Sequence, residues 1–396
     1  MFEIILFLFI GVALGVLMGL IPGIHPNLIV LFVPLFMVLS LDPLLLLVLI
    51  VAMAVTNSIV DFIPSILFGA PDAGNELSIL PGHKMLMHGY GYQAIKLTVV
   101  GGIGAVIFCV LIMPFLVLTV PPVFTMLGNY VFVLLIGIVF IMVLTEKGKK
   151  KITAGFCFLM AGFIGLFAGK LPIDNNLMLF PIFSGLFGLS LLFLQVRNRV
   201  KVPSQHTKEE FVSRRVINRG VISGSLGGVA TGLLPGVGSS EIASLASVDK
   251  NDKSFLVTIG ALTTANILIS LLAMLLIGKT RSGTAVAIDQ LMSIGSSEFL
   301  FIIFVSLVAC GLAALLTLYL AKVLLRMVRR FDYTLISCVM IVFIVGLILY
   351  FTSYWGLLLA ITCCALGIFT NLAKIKRGNL MGVLILPTIL FYVSSL

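Results

Sequence analysis

Apolar runs long enough to cross a lipid bilayer recur along the whole chain, and they leave few folds open. A membrane helix needs about 20 predominantly apolar residues. The chain reads as spans near 2–20, 27–41, 43–60, 94–117, 121–144, 152–169, 177–196, 220–234, 254–277, 298–325, 333–353, 355–373 and 379–395. The stretches 61–70, 237–249 and 285–294 are shorter and more polar, and read as half-helices or re-entrant hairpins. A β-barrel would need alternation of apolar and polar residues, which the unbroken run from Leu44 to Val51 does not show. A soluble fold is excluded as well, because a chain 60% hydrophobic and 10% charged cannot cover its apolar surface with polar groups. The expected class is all-α: a polytopic helical membrane protein.

Within this background one motif occurs twice. Gly11-x3-Gly15-x3-Gly19-x2-Pro22-Gly23 matches Gly224-x3-Gly228-x3-Gly232-x2-Pro235-Gly236 at an offset of 213 residues. Asn57, Gly69 and Gly74 match Asn266, Gly278 and Gly283 at an offset of 209. The chain therefore divides into a first transmembrane repeat over 1–196, a basic linker over 197–219 and a second transmembrane repeat over 220–396. Each repeat carries a helix broken by Pro-Gly. Proline removes a backbone donor and clashes with the preceding turn, and glycine permits the sharp path that follows. Paired interruptions in two halves of a membrane protein are the strongest sequence pointer to a transport site.

The net charge of +10 follows from basic clusters between the spans: Lys147 to Lys151, Arg197 to Arg219, Arg326 to Arg330 and Lys374 to Arg377. By the positive-inside rule these loops are cytoplasmic, which places the C-terminus outside and gives the repeats inverted topology. Nucleic acid is not expected as a partner, since these charges mark topology rather than a basic face. The first apolar run lacks the basic start of a signal peptide and reads as a retained membrane segment. The six cysteines lie inside apolar runs without metal-ligand spacing. No metal site, cofactor or catalytic constellation is read from the sequence, and the chain is not expected to be an enzyme.

The candidate binding residues gather at the two breaks. Pro22, Gly23, His25 and Asn27 form the first, and Pro235, Gly236, Gly238, Ser239 and Ser240 the second. A helix starting beyond such a break offers free N–H groups and a positive dipole end to an anion, and Asn and Ser are good capping types there. Asn57 and Asp61 interrupt an apolar run, and Asn266 follows Thr263 and Thr264 in the second repeat. Ionisable residues inside a membrane are costly and usually functional, so this group suits a coupling Na⁺ or a proton. Lys84, with Lys279 and Arg281 in the second repeat, would attract an anion.

The sequences Gly19-Leu-Ile-Pro22-Gly23, Ile66-Leu-Phe-Gly-Ala-Pro71, Pro81-Gly82-His-Lys-Met-Leu-Met-His-Gly89-Tyr-Gly-Tyr-Gln-Ala94 and Gly232-Leu-Leu-Pro235-Gly236-Val-Gly238 resemble the large membrane subunit (TctA) of the tripartite tricarboxylate transporters, most closely its short archaeal relatives. The resemblance spans both halves. It implies an ion-driven secondary transporter that takes up carboxylates such as citrate, together with a small membrane subunit and an extracytoplasmic binding protein. The reading is thus an organic-anion carrier, coupled to Na⁺ or H⁺, working by alternating access at the paired breaks. The alternative from the residues is a translocase for a polyprenyl-phosphate-like lipid, because a helix N-terminus suits an anionic lipid headgroup as well as a carboxylate. Membrane lipid surrounds the chain on either account, and a homo-oligomer is compatible with both.

Overall fold

The computed structural model describes residues 2–21, 29, 33, 41–68, 79–127, 130–144, 146, 148–174, 177–198, 203–206, 210–233, 242–243, 251–280, 282–328 and 333–394. In chain order the helices are α1 (Phe2–Leu20), α2 (Pro43–Val60), α3 (Phe62–Phe68), α4 (Ile79–Met87), α5 (Gly91–Leu127), α6 (Val131–Leu144) and α7 (Lys150–Ala168). Helix α8 follows, built of Leu179–Phe183, a π-helical Ser184–Leu189 and Ser190–Asn198. Then come α9 (Arg214–Leu233), α10 (Asp252–Ile277), α11 (Gly283–Leu291), α12 (Ser296–Val328), α13 (Tyr333–Leu372) and, after a 3₁₀ turn at Arg377–Met381, α14 (Gly382–Ser394). Among the described residues, eight helices are long and apolar enough to cross a membrane. The described residues contain no strand. The protein is a multi-pass helical membrane protein.

Local chemistry sets several boundaries. Asp42 accepts a hydrogen bond from Leu44 N at 2.9 Å, and Pro43 takes the first turn of α2, where its missing N–H does no harm. Asn251 caps α10 in the same way, and Gly278 ends it at φ 60°, a conformation that glycine tolerates. The expected break near residue 118 is not there. Helix α5 runs through Pro114, Pro121 and Pro122 to Leu127, as membrane helices can when neighbours and side chains re-satisfy the freed carbonyls. Helix α9 begins at Arg214, inside the stretch read as linker.

Helix α13 breaks at Ser353, where φ is 54° and ψ −163°. Ile344 and Ile348 from its first arm share one apolar cluster with Ala360 and Cys364 from its second, against Leu189 and Leu192 of α8. In a straight helix Ile344 and Cys364 would lie about 30 Å apart, so α13 folds back into two arms side by side. The two spans read from sequence at 333–353 and 355–373 are these arms.

The helices sort into two bodies, and these are not the two halves of the sequence. Body A combines α1–α5 with α9–α12 around a single apolar core. Body B combines α6–α8 with α13 and α14 around separate cores. Among the described residues, all extensive helix–helix packing stays within one body or the other. The chain leaves one body for the other after Leu127, after Asn198 and after Val328. Each body takes one segment from each half of the sequence.

In body A two helix pairs pack in one register. A methyl group on Gly11 or Gly15 of α1 would meet the carbonyl oxygen of Leu49 or Met53 at 2.5 Å, and one on Gly19 would meet Val60 Cβ at 2.8 Å. In the second half Gly224, Gly228 and Gly232 of α9 face Thr258, Leu262 and Ile269 of α10. Each second partner stands 209 residues beyond the first, the offset read for Asn57 and Asn266. The glycine ladders therefore let the backbones of α1 and α9 approach the polar-patch helices α2 and α10, as small residues do in membrane helix pairs.

Candidate functional site

The glycine ladders fix where the two chain breaks begin. Gly19 lies against Val60 and within 3.2 Å of Asp61 N, measured from an added methyl carbon, so α1 ends beside the C-terminus of α2. Gly228 approaches Asn266 N at 3.0 Å and Gly232 packs on Ile269, so α9 ends beside the middle of α10. Pro22, Gly23, His25 and Asn27, and Pro235, Gly236, Gly238, Ser239 and Ser240, lie outside the described residues, as does Arg281. What the described residues define is the floor beside the ends of α1 and α9, formed by α2 and α10.

That floor is polar and closed. Thr56, Asn57, Ser58, Asp61 and Ser65 are buried on α2 and α3, at 0 to 6% exposure, and Thr263 and Thr264 are buried on α10. The two groups meet where Ser58 Oγ and Thr264 Oγ1 stand 3.5 Å apart. Most of these hydroxyls satisfy themselves on their own helix. Ser58 donates to Val55 O at 2.8 Å, Ser65 to Asp61 O at 2.8 Å and Thr264 to Gly260 O at 3.1 Å. Thr56 Oγ1 and Asn57 Nδ2 are different: both are buried without a hydrogen-bond partner among the described residues. Leaving such a group unmade costs about 1–3 kcal/mol, and a bound ligand is one way to recover it. Asn266 is half-buried on the same helix as Thr264.

Lys84 and Lys279 lie at opposite ends of α10. Lys84 donates to Asp252 Oδ2 at 2.7 Å at the start of α10, whereas Lys279 is exposed just past its end. With 26 residues between these ends the two lysines are separated by about 39 Å of helix. Lys84 serves as an ion-pair partner of Asp252 at the α10 N-terminus.

Sequence reasoning missed a clamp at that end of body A. Residues 203–206 and 210–213 lie along the α4–α5 turn: His206 N donates to Gly89 O at 2.7 Å, and Gln205 Oε1 accepts from Gly91 N at 2.9 Å. The Gln93 amide bonds the Glu210 backbone in both directions, at 2.6 and 3.1 Å. The Glu210 carboxylate pairs with Lys253 and accepts from the Tyr90 hydroxyl. Lys253, and secondarily Tyr90, hold the Glu210 carboxyl below its usual range, while Glu210 pushes the Tyr90 hydroxyl up. The sign of the linkage follows. The contribution of Glu210 is present above the ordinary carboxylate pKa and is lost as pH falls through its lowered value. That of Tyr90 is present below its ordinary pKa and is lost only as pH rises through the raised one. We predict faster hydrogen exchange over 203–206 and 210–213 in Glu210→Gln at neutral pH, and in the unaltered protein once pH falls below the ordinary carboxylate range. Equal exchange in the two proteins at neutral pH would show that the carboxylate is not what holds the segment. Before the structure, only the run of charges marked this linker.

The family model described as Tripartite tricarboxylate transporter TctA family matches residues 5–382. A protein of Methanocaldococcus jannaschii, described as "Uncharacterized protein MJ1079", is 29% identical over 358 residues, which cover 87% of this chain and 88% of that protein. No solved structure matches.

Proposed function

Because the chain belongs to the tripartite tricarboxylate transporter TctA family, and so is a membrane component of carboxylate transport, we propose that it carries an organic di- or tricarboxylate anion across the membrane by alternating access, driven by a Na⁺ or proton gradient. The observation that carries the reading is the pair of buried, unpartnered groups Thr56 Oγ1 and Asn57 Nδ2, at the place where the polar patches of both repeats meet. Asn57 Nδ2 is a donor and calls for an acceptor such as a substrate carboxylate. The broken segments at Pro22-Gly23 and Pro235-Gly236 would bring helix N-termini to the same anion. Asp61 and the surrounding hydroxyls supply oxygen ligands of the kind a coupling Na⁺ uses, or a proton site.

The two bodies supply the moving parts. A helical body that holds the site and packs little against its neighbour can shift as a unit, which is how repeat-built transporters alternate their access. Body A carries the polar floor, and body B is the frame against which it moves. Inverted topology of the repeats would make the two end states near mirror images. The family implies partner subunits. A small membrane subunit would meet the lipid-facing surface, and an extracytoplasmic binding protein would deliver the anion.

The test is thermal stabilisation of the purified protein by a panel of carboxylates, each with sodium or with potassium as the cation. A ligand at about 100 times its dissociation constant adds about 2.7 kcal/mol to stability. A melting shift with citrate and related polycarboxylates, absent with acetate, is expected. A shift that requires sodium identifies the coupling ion. No shift with any carboxylate under either cation would overturn the reading.

A further inference from the structure

Body B contains a feature that carboxylate transport does not use. Between the C-terminal half of α7 and the second arm of α13 lies a groove of about 480 Å³, lined by Met160, Phe163, Phe167, Lys170, Trp355 and Leu358 among others. Its walls are apolar almost throughout, and Phe163, Phe167 and Leu358 remain 49%, 64% and 55% exposed. Both ends of the lining that carry polar tips lie together. Lys170 sits just past the end of α7, with its Nζ over the Phe167 ring at 5.6 Å, and Trp355 lies two residues beyond the Ser353 break. From this rim the groove descends along α7 to Met160 and along α13 to Thr362, some 10–15 Å of helix.

We propose that this groove is a binding site for an anionic membrane lipid, with the headgroup phosphate on Lys170, the Trp355 indole at headgroup level and one hydrocarbon chain between α7 and α13. Size favours a chain over a helix. A helix about 10 Å across would fill this volume with about one turn, too little to seat a transmembrane partner, whereas a single hydrocarbon chain runs its length. Charge fixes the class, since the one cation on the lining stands at the rim. Trp at the interface and Lys reaching to the headgroup layer are the arrangement that membrane boundaries select. Such a lipid would anchor body B in its leaflet. The site stands apart from the polar floor in body A, so it holds whichever anion is carried.

Trp355 is the single tryptophan of the chain, so its fluorescence reports this groove alone. The experiment reconstitutes the full chain in bilayers of phosphatidylcholine doped with brominated phosphatidylglycerol or, at equal mole fraction, brominated phosphatidylcholine. One lysine–phosphate contact near the surface corresponds to about a fivefold preference for the anionic lipid. Stronger quenching by brominated phosphatidylglycerol is expected, removed in Lys170→Gln and kept in Lys376→Gln, a lysine of the basic loops in the same body. Equal quenching by the two lipids, or a preference that survives in Lys170→Gln, would overturn the proposal. So would the absence of quenching by either lipid, which would mean that protein covers the groove.

Discussion

Gly101→Leu is expected to give little or no folded protein. A methyl group at Gly101 would fall on the carbonyl oxygen of Val257 and within 2.8 Å of Ala261 N, both backbone atoms of α10. The reverse contact also exists, since Gly260 of α10 faces the Thr98 carbonyl of α5. Neither helix can yield by rotating a side chain, so the two must separate. Overpacking in a core that can adjust costs about 1–3 kcal/mol, and here rigid backbone raises the cost beyond that range. The proper control is Gly137→Ala or Gly155→Ala, where an added methyl meets nothing within 4 Å. Those changes remove helix-interior glycines and should be neutral or stabilising by up to about 1 kcal/mol. Detergent-resistant folded yield and melting temperature read the difference. A Gly101→Leu protein that melts like its parent would mean that α5 and α10 are not in backbone contact.

Asn57→Ala is expected to separate folding from function. If Asn57 were a structural residue, its removal would break a buried hydrogen bond and lower stability. Its Nδ2 is buried without a partner among the described residues, so removing it should leave the melting temperature unchanged or raise it. The same change should weaken carboxylate binding, because a hydrogen bond to a charged group is worth about 1.5–3 kcal/mol, or about 10- to 150-fold in affinity. Thr56→Val, which removes the other unpartnered group at nearly constant shape, should behave alike. A destabilised Asn57→Ala protein with unchanged affinity would assign Asn57 to the scaffold instead.

Much of the architecture was legible because hydropathy and turn chemistry act locally. The first span at 2–20 and the span from Pro43 to Val60 match the sequence reading, since Asp42 and Pro43 announce a helix start. The break between α5 and α6 was misplaced, because prolines that would end a soluble helix are carried inside a membrane one. The division into bodies A and B was not legible at all. Apolar runs say that a helix is in the membrane but not which helix it meets, and the glycine ladders pointed only to the α1–α2 and α9–α10 pairs. Arg377 belongs to a basic cluster read as a cytoplasmic loop, and it is 2% exposed and donates to Asn371 Oδ1 at 2.9 Å. Nearby, Glu146 accepts from Lys376 N at 2.7 Å, and Lys150 Nζ donates to Lys374 O at 3.0 Å. Two basic loops far apart in sequence are thus stapled together at one end of body B. At the candidate site the polar residues of α2 and α10 stand out in the sequence as interruptions of apolar runs. That the two patches touch at Ser58 and Thr264 needed the fold, because the contact spans 206 residues.

In the proposed carriage the anion crosses at the floor formed by α2 and α10. The most direct measurement is uptake of radiolabelled citrate and related carboxylates into proteoliposomes holding this chain, with and without an imposed sodium or proton gradient, for the unaltered protein and Asn57→Ala side by side. Gradient-dependent uptake that falls at least tenfold in the well-folded Asn57→Ala protein is the predicted result. Uptake that is equal in the two proteins, or absent under every gradient, would contradict it.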